Sequence, residues 1–427
     1  MKQKILAFSH LPLVKGALAL FWGAAIVNLA NYLFNLLMGR MLGPVEFGSL
    51  SAILSILYVL LVISSSIGTV TTRFAAQYHA QNSLGKAKFG LFKFSKAFFL
   101  VAIGFIILIF CFSEEISHFL HLGSNLPVLA VLPYVFMLFL LPIPRGVLSG
   151  LQKFNATSAS NAIEVLIKLS LAVVLVGLGQ KVSGAVLAIG LASVAAYFFL
   201  AIPLRPILGS REEEGISLKK FFSSFNWALL ALLGYSLFQS ADVILVKHFL
   251  PSFDAGLYAG ISLLGKIIFF ATAVVVTAMF PIVAEKHFAK EKHSHLLFQT
   301  LAIVSIISLI ITLVYALAPK LIVSLFLGSA YSSIAKYVPY FGLSMMFLSI
   351  SSVFFYYFLS IRARKLKLIP LYIIPLMIAG LYFFHDSLKS VVLVQLSSTA
   401  LLLISFVAGY LYFNWREIVG RLRGKIR

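Results

Sequence analysis

The stretch LYAGISLLGKIIFFATAVVVTAMF, residues 257–280, is dominated by apolar residues and holds one charged side chain, Lys266. It is long enough to cross a bilayer, because a spanning helix needs about 20 apolar residues. A second apolar stretch, residues 161–178, carries Lys168 near its middle. A charge at the bilayer centre costs about 3 kcal/mol on insertion scales, so such residues usually face a cavity and mark a transport path. The two lysines therefore predict a membrane transporter with an anionic substrate.

The whole chain has the composition of a membrane protein. Of its 427 residues, 61% are hydrophobic and 11% are charged, whereas soluble domains average about 45–50% and about 25%. We therefore expect an all-α polytopic membrane protein. The apolar runs predict about twelve transmembrane helices, at residues 16–38, 47–70, 97–113, 127–148, 160–178, 184–204, 227–248, 256–280, 297–318, 333–359, 368–384 and 390–413.

Positive charge is distributed unevenly between the predicted loops. If the N-terminus is inside and twelve helices alternate, 26 of the 34 lysines and arginines fall in inside segments, six in outside segments and two at mid-membrane. Cytoplasmic loops are enriched in these residues, so the bias predicts a chain in the cytoplasmic membrane with both termini in the cytoplasm. The net charge of +21 then indicates topology rather than nucleic-acid binding.

A faint internal repeat divides the predicted helices into halves. Asn35, near the end of the first helix, precedes Gly48 by 13 positions, and Asp242, near the end of the seventh, precedes Gly256 by 14. Six helices separate the copies, and an even number preserves orientation. This predicts two six-helix lobes related by a parallel pseudo-two-fold repeat around a central cavity. The predicted parts are an N-terminal lobe at 1–204, a cytoplasmic linker at 205–226, and a C-terminal lobe with a basic tail at 227–427.

Two stripes of polar residues are candidates for the lining of the central cavity. The stripe on the first helix consists of Asn28, Asn31 and Asn35, which share one face. The stripe on the seventh helix consists of Ser236, Gln239 and Asp242. Such residues can offer hydrogen bonds to hydroxyl-rich cargo. The alternative is that they hydrogen-bond neighbouring helices and serve packing.

Two lysines and two carboxylates are the charged candidates inside the predicted helices. Glu164 and Lys168 are four positions apart, the favoured order for a helical ion pair, which predicts a structural pair that lowers the insertion cost of Lys168. Lys266 has no acidic residue within a helical turn and is the stronger substrate-binding candidate. Asp242 can pair with a lysine or exchange a proton or cation. Asp242 and Glu164 are therefore the ion-coupling candidates.

Two arginines lie at the inner ends of predicted helices. Arg73 and Arg145 are each interpreted either as topology anchors or as ligands for a phosphate at the cytoplasmic mouth of the cavity.

Two other patterns resemble known binding motifs and are rejected. Residues 260–267 resemble a phosphate-binding loop, but Ile267 stands where a Ser or Thr would bind Mg²⁺ and the segment lies in a predicted membrane helix. No ATP site is therefore predicted. The histidines at 287, 293 and 295 match no firm metal motif, so we expect a solvated loop there, with no metal and no cofactor.

Four segments, taken in order, resemble one family. They are NLLMGRMLGPVEFGSL at 35–50, GLQKF at 150–154, the segment at 242–258 and LFLGSAY at 325–331. Together they resemble the polysaccharide transporter, or Wzx-type oligosaccharide flippase, family of polysaccharide biosynthesis proteins. This family belongs to the multidrug/oligosaccharidyl-lipid/polysaccharide exporter (MOP) superfamily.

The resemblance implies a function as well as a two-lobed bundle. The family's usual cargo is a polyprenyl-diphosphate-linked oligosaccharide, moved to the outer leaflet by alternating access coupled to a cation gradient. The implied partners are this lipid-linked anionic oligosaccharide, membrane lipids and polysaccharide assembly proteins. The related lipid II flippases usually have fourteen helices, so twelve favour the oligosaccharide branch.

Two alternative functions are weaker on the sequence. A multidrug or cation antiporter of the same superfamily would favour acidic cavity residues, and cationic ones prevail here. A membrane-embedded polysaccharide polymerase or ligase usually needs a sizeable external loop with catalytic groups, and the predicted outside loops are short. We therefore expect a transporter rather than an enzyme.

Overall fold

The computed structural model describes residues 12–81, 83–211, 213, 226–288, 291–361, 363 and 366–424. Within these residues all regular secondary structure is helical, as the sequence predicts. The chain divides into two compact units, Met1–Leu229 and Leu230–Arg427.

The first unit is built on one very long helix. This helix, α1 (Pro12–Ala80), is broken at Gly43, whose φ of +71° is a left-handed conformation that glycine adopts without strain. The helices that follow are α2 (Leu84–Cys111), α3 (Ser113–Phe119), α4 (Leu126–Leu129), α5 (Leu132–Leu140), α6 (Pro142–Gly150), α7 (Phe154–Leu175), α8 (Lys181–Phe199) and α9 (Ala201–Leu208). A π-helical turn, Val176–Gln180, joins α7 to α8 and contains a second positive-φ glycine, Gly179.

Close packing of α6 on α1 fixes the position of one candidate charge. A Cβ atom placed on Gly146 would lie 2.8 Å from the carbonyl oxygen of Gly68, and one on Gly150 would lie 2.5 Å from that of Thr72. Only glycine permits this approach of two backbones, which is the packing mode of small residues in membrane helices. Arg145 is thereby held on α6 against α1.

The second unit packs around one helix. Its helices are α10 (Asn226–Phe249), α11 (Ser252–Phe288), α12 (Ser294–Leu317), α13 (Pro319–Phe326), α14 (Val338–Ser360), α15 (Ile369–Phe383) and α16 (Leu388–Gly424). Short 3₁₀ segments, Ser329–Tyr337 and Leu366–Leu368, precede α14 and α15. The central helix α14 packs against α11, α12 and α16.

The described residues contain nine helices that are long and apolar enough to cross a membrane, so the chain is a multi-pass membrane protein. Two of the nine, Val27–Ala80 and Phe154–Leu208, have 54 and 55 residues. Each covers two of the predicted apolar runs, and each contains one positive-φ glycine, Gly43 in the first and Gly179 in the second. The predicted run 227–248 falls in α10, where some side chains lie outside the described residues.

Candidate functional site

Lys168 is held between two helices of the first unit. Its Nζ atom, on α7, donates a hydrogen bond to the Asn31 side-chain oxygen on α1. The same Nζ atom lies 4.7 Å from the ring centroid of Phe34 on α1, a cation–π contact. The half-buried ammonium therefore has a defined position beside the α1 stripe.

The asparagine stripe on α1 is partly occupied by internal hydrogen bonds. Asn31 accepts from Lys168, while Asn35 Nδ2 donates to the Asn31 backbone oxygen at 2.9 Å. The Asn35 side chain also bonds the Tyr58 hydroxyl. Asn28 is exposed. Two of the three asparagines thus contribute to packing, and Asn28 remains accessible.

The ion pair of the first unit joins Glu164 to Arg145. Arg145 Nη2 lies 2.8 Å from Glu164 Oε2, with the two side chains 18% and 22% exposed. Ser193 Oγ on α8 donates to Glu164 Oε1 at 2.6 Å, so both carboxylate oxygens are engaged. The predicted ion pair between Glu164 and Lys168 is therefore wrong as a contact, although the two charges still interact electrostatically. The cation in contact with Glu164 is the guanidinium of Arg145 on the neighbouring helix α6. The predicted partner, Lys168, lies on the same helix as Glu164.

The two arginine candidates have different surroundings. Arg145 also donates to Ser160 Oγ from Nε and Nη2, at 3.1 and 2.9 Å, so its guanidinium is held inside the unit. Arg73 is exposed on α1. Arg73 is the more accessible of the two for a phosphate group.

The second unit brings Asp242 and Lys266 together. Asp242, on α10, is 2% exposed and accepts a 2.8 Å hydrogen bond at Oδ2 from the Tyr258 hydroxyl on α11. Its Oδ1 atom is buried with no hydrogen-bond partner among the described residues. Lys266 lies two turns beyond Tyr258 on α11 and interacts electrostatically with Asp242. The carboxylate that Lys266 lacks on its own helix is thus supplied by the neighbouring one.

Gln239, the other candidate on α10, lies one turn before Asp242. It is half-buried beside the hydroxyl of Tyr235. The Tyr235 ring in turn stacks on Phe355 of α14, with centroids 4.3 Å apart and planes 9° apart. Aromatic stacking therefore fixes the surroundings of Gln239.

Two features were missed in the sequence. Lys247 is one of the six basic residues that the charge count puts in outside segments, but it is 1% exposed and its Nζ donates to Ser252 Oγ at 3.2 Å. The apolar residues directly before it are the signal that could have revealed its burial. The partly exposed histidines also make contacts that the sequence does not indicate, because His287 Nδ1 lies 3.1 Å from His293 Nε2, and His293 Nδ1 lies 3.0 Å from the Tyr357 hydroxyl.

No group of three His, Cys, Asp or Glu side chains in the described part of the chain is placed to hold a metal ion. Each unit instead has its own set of charged and amide groups as candidates. In the first unit these are Lys168, Asn31 and Asn28, and in the second they are Lys266, Asp242 and Gln239. Such groups bind anions and hydroxyls by charge and hydrogen bonding.

Solved structures with a similar fold are membrane transporters. An inward-facing multidrug-resistance MATE family transporter of the MOP superfamily has a TM-score of 0.77 at 12% identity, covering 91% of this chain and 94% of its own. The lipid II flippase MurJ, in an inward closed conformation, has a TM-score of 0.70 at 13% identity, covering 93% of this chain and 87% of its own. The eukaryotic MATE transporter AtDTX14 has a TM-score of 0.64 at 14% identity, covering 97% of this chain and 100% of its own.

These identities show a shared fold and no more. No curated protein sequence matches the chain. Residues 13–287, well over half of the sequence, match the family described as "Polysaccharide biosynthesis protein". The predicted family is thereby confirmed, and family and fold are those of transporters and flippases. The chain belongs to the polysaccharide biosynthesis protein family, and its fold is similar to that of the MATE transporters and of MurJ.

Proposed function

We propose that the protein is a flippase that moves polyprenyl-diphosphate-linked oligosaccharide across the cytoplasmic membrane by alternating access, for cell-surface polysaccharide biosynthesis. Its family and its fold support a flippase or transporter of this superfamily. The observation that carries the proposal is the pair of half-buried lysines inside apolar helices, Lys168 in one unit and Lys266 in the other. A cation at this depth is costly and is retained where it binds an anionic group.

The contacts of Lys168 suit an anionic diphosphate or acidic sugar. An ammonium has three N–H donors, and Asn31 accepts one of them. The remaining donors can serve a phosphate oxygen, while the exposed Asn28 on the same helix can bond sugar hydroxyls. Gln239 offers the same amide chemistry in the second unit. Arg73 is the proposed phosphate ligand at the cytoplasmic mouth, and Arg145 supports the site through Glu164.

Asp242 is the better of the two ion-coupling candidates. Its buried Oδ1 atom is without a hydrogen-bond partner in the described chain, so a proton or cation bound there would satisfy it. Glu164 has both oxygens engaged by Arg145 and Ser193, which leaves less room for exchange. A proton or cation bound at Asp242 would neutralise the carboxylate and change the electrostatic surroundings of Lys266. Ion binding at Asp242 would thereby be linked to the ammonium group that is proposed to bind cargo.

The proposed topology has twelve crossings, with both termini in the cytoplasm. The two spans of more than 50 residues support it, because each is about 80 Å long at 1.5 Å per residue and has a glycine break near which it can reverse. With α10 added, the total reaches twelve. The two compact units support the proposed lobes at 1–204 and 227–427, related by a pseudo-two-fold repeat, with 205–226 as the linker.

Transport in liposomes tests this function directly. The purified protein is reconstituted, and movement of a fluorescent polyprenyl-diphosphate sugar between leaflets is measured with and without a Na⁺ or H⁺ gradient. We expect protein-dependent movement that responds to one of the two gradients. Protein-free liposomes and the double variant Lys168→Gln/Lys266→Gln are the controls. No movement with several glycans and both gradients would contradict the proposal.

A multidrug or cation antiporter is the second candidate. The fold similarity to MATE transporters and the two carboxylates Asp242 and Glu164 favour it. Gradient-driven export of a cationic dye from the same liposomes, without movement of the lipid-linked sugar, would establish it. A membrane-embedded polymerase or ligase has less support, and we propose no enzyme activity, no cofactor, no ATP and no nucleic acid. The proposed partners are membrane lipids, the anionic cargo and polysaccharide assembly proteins.

A further inference from the structure

The first turns of α2 carry a face on which lysine and phenylalanine are mixed. Residues 84–96 contain four lysines and no acidic residue. Three of these lysines share one side of the helix with two phenylalanines. This lysine–phenylalanine face consists of Lys86, Phe89, Phe92, Lys93 and Lys96.

The opposite side of the same turns is packed against the first unit, which fixes the direction of the face. Gly90, Leu91 and Phe94 are buried. The fourth lysine, Lys88, lies to the side and donates to the backbone oxygen of Ser210, just after α9, at 2.9 Å. The start of α2 is therefore anchored, and the lysine–phenylalanine face points away from the core.

The chemistry of the face suits neither bulk water nor the hydrocarbon alone. The Phe92 side chain is 50% exposed, and its exposure to water would be unfavourable. The Lys96 side chain is exposed beside it, and its transfer into hydrocarbon would be unfavourable. Lys93 Nζ lies 4.5 Å from the ring centroid of Phe89, so its charged end is already positioned over an apolar surface. Interleaved lysines and aromatic rings are typical of helix segments at the membrane–water boundary.

The position of the face along α2 puts it at one end of the membrane-spanning part. Lys96 is followed by the last 15 residues of the 28-residue helix, which rise about 22 Å at 1.5 Å per residue, a large part of the roughly 30 Å hydrocarbon core of a bilayer. Its remaining part is apolar, with exposed side chains such as Leu100, Ile107 and Leu108 for the lipid tails. When these residues lie in the hydrocarbon, Lys93 and Lys96 come nearest the phosphates, and Lys86, about 15 Å before Lys96 along the axis, lies on the aqueous side of them.

We propose that the lysine–phenylalanine face of α2 binds the phosphate groups of anionic phospholipids. The ammonium groups of Lys86, Lys93 and Lys96 contact headgroup oxygens, and the rings of Phe89 and Phe92 insert among the upper parts of the acyl chains. Charge complementarity carries the choice of occupant, because residues 84–96 hold four lysines and no acidic residue, and the carboxylate of Glu213 beside the start of α2 accepts a hydrogen bond from Ser83 Oγ. The proposal depends on membrane insertion and not on the identity of the cargo.

Lipid-binding measurements on the purified full chain test this. Native mass spectrometry counts bound phosphatidylglycerol and phosphatidylcholine at equal concentrations, for the wild type and for Lys86→Gln/Lys93→Gln/Lys96→Gln. The matched control is Lys320→Gln/Lys336→Gln/Lys389→Gln, which removes the same charge from three other exposed lysines. A lysine at an anionic surface contributes a factor of about five in affinity. We therefore expect the face variant to lose at least about tenfold in preference for phosphatidylglycerol, and the control to keep it.

Several results would overturn the proposal. They are a wild type without preference for phosphatidylglycerol, a face variant that keeps the preference, or a control that loses as much as the face variant. A face variant that keeps its lipid preference but stops moving diphosphate cargo in phosphatidylcholine vesicles would assign the face to cargo instead. Should the triple variant fail to fold, Lys96→Gln alone is expected to lose about fivefold, and an unchanged preference contradicts the assignment.

Discussion

The two units handle buried charge in different ways. In the first, Glu164 has a partner for each oxygen, Arg145 binds two side chains, and Lys168 is held by Asn31 and Phe34. In the second, Asp242 keeps one buried oxygen without a hydrogen bond among the described residues. A satisfied network stabilises one arrangement, whereas an unsatisfied buried group gains free energy from any ligand that completes it. The first unit is therefore the better candidate for a fixed charge, and the second for exchange.

The largest expected effect comes from removing the lysines. Lys266→Ala and Lys168→Ala each delete a charge-assisted hydrogen bond to the anionic cargo, worth about 1.5–3 kcal/mol, or roughly 10- to 100-fold in binding. In a cell with a flippase-dependent surface glycan, export should fail and the lipid-linked precursor should accumulate. Membrane insertion must be unchanged in both variants, and Lys266→Arg is the charge-retaining control. Normal export by both alanine variants would contradict the anionic-cargo proposal.

The second-largest expected effect is a loss of stability when the ion pair between Arg145 and Glu164 is broken. Arg145→Leu leaves Glu164 without its cation, and with both side chains partly exposed we expect a loss of about 2–3 kcal/mol, below the range for fully buried pairs. Thermal unfolding in detergent measures it. The double variant Arg145→Leu/Glu164→Leu should recover part of the loss, because no unpaired charge remains. A double variant as unstable as the single one would show that the pair is not the cause.

Asp242→Asn should change the response of transport to an ion gradient and leave the stability of the protein almost unchanged. The amide keeps the shape and can still accept from Tyr258, so unfolding should change by less than about 1–2 kcal/mol. The response of transport to a Na⁺ or H⁺ gradient should disappear in liposomes. Glu164→Gln is the matched comparison and should retain that response. The opposite pattern would place the coupling in the first unit.

The smallest expected effect tests how Lys168 is positioned. Phe34→Leu keeps the volume apolar but removes a cation–π contact of about 0.5–1 kcal/mol. Cargo affinity should fall by roughly two- to fivefold with no change in gradient dependence. Dose–response measurements with the fluorescent cargo report it, with Asn28→Ala, at the exposed member of the asparagine stripe, as a comparison. An unchanged affinity in Phe34→Leu would mean that Asn31 alone holds the ammonium.

Helix content and family could be predicted, because the apolar runs and the ordered motifs are local in sequence. The pairing of charges could not. Arg145 and Glu164 lie on different helices, α6 and α7, and their contact depends on how the helices of the first unit pack. A spacing of four positions favours Lys168 as the partner of Glu164 only while neighbouring helices are ignored.

For the same reason, the interaction between Asp242 and Lys266 in the second unit could not be predicted. Asp242 and Lys266 are separated by the last two turns of α10, a short loop and the first four turns of α11, so no helical periodicity connects them. Tyr258 was part of a quoted motif, but its hydroxyl bond to Asp242 depends on how α10 and α11 pack. Gln239 and Asp242 were identified because their side chains are polar in an apolar run. The structure adds that Asp242 has a buried oxygen, Oδ1, without a hydrogen-bond partner among the described residues.

The burial of Lys247 has a consequence for chemical mapping. Amine-reactive reagents modify only lysines they can reach, and Lys247 is 1% exposed. A membrane-impermeant acylating reagent applied to intact cells would leave this residue unlabelled, whereas exposed Lys320, Lys336 and Lys389 would react if they face outward. The absence of label on Lys247 would therefore carry no information about its side of the membrane, and a cysteine introduced in the loop that follows α10 would be the better reporter.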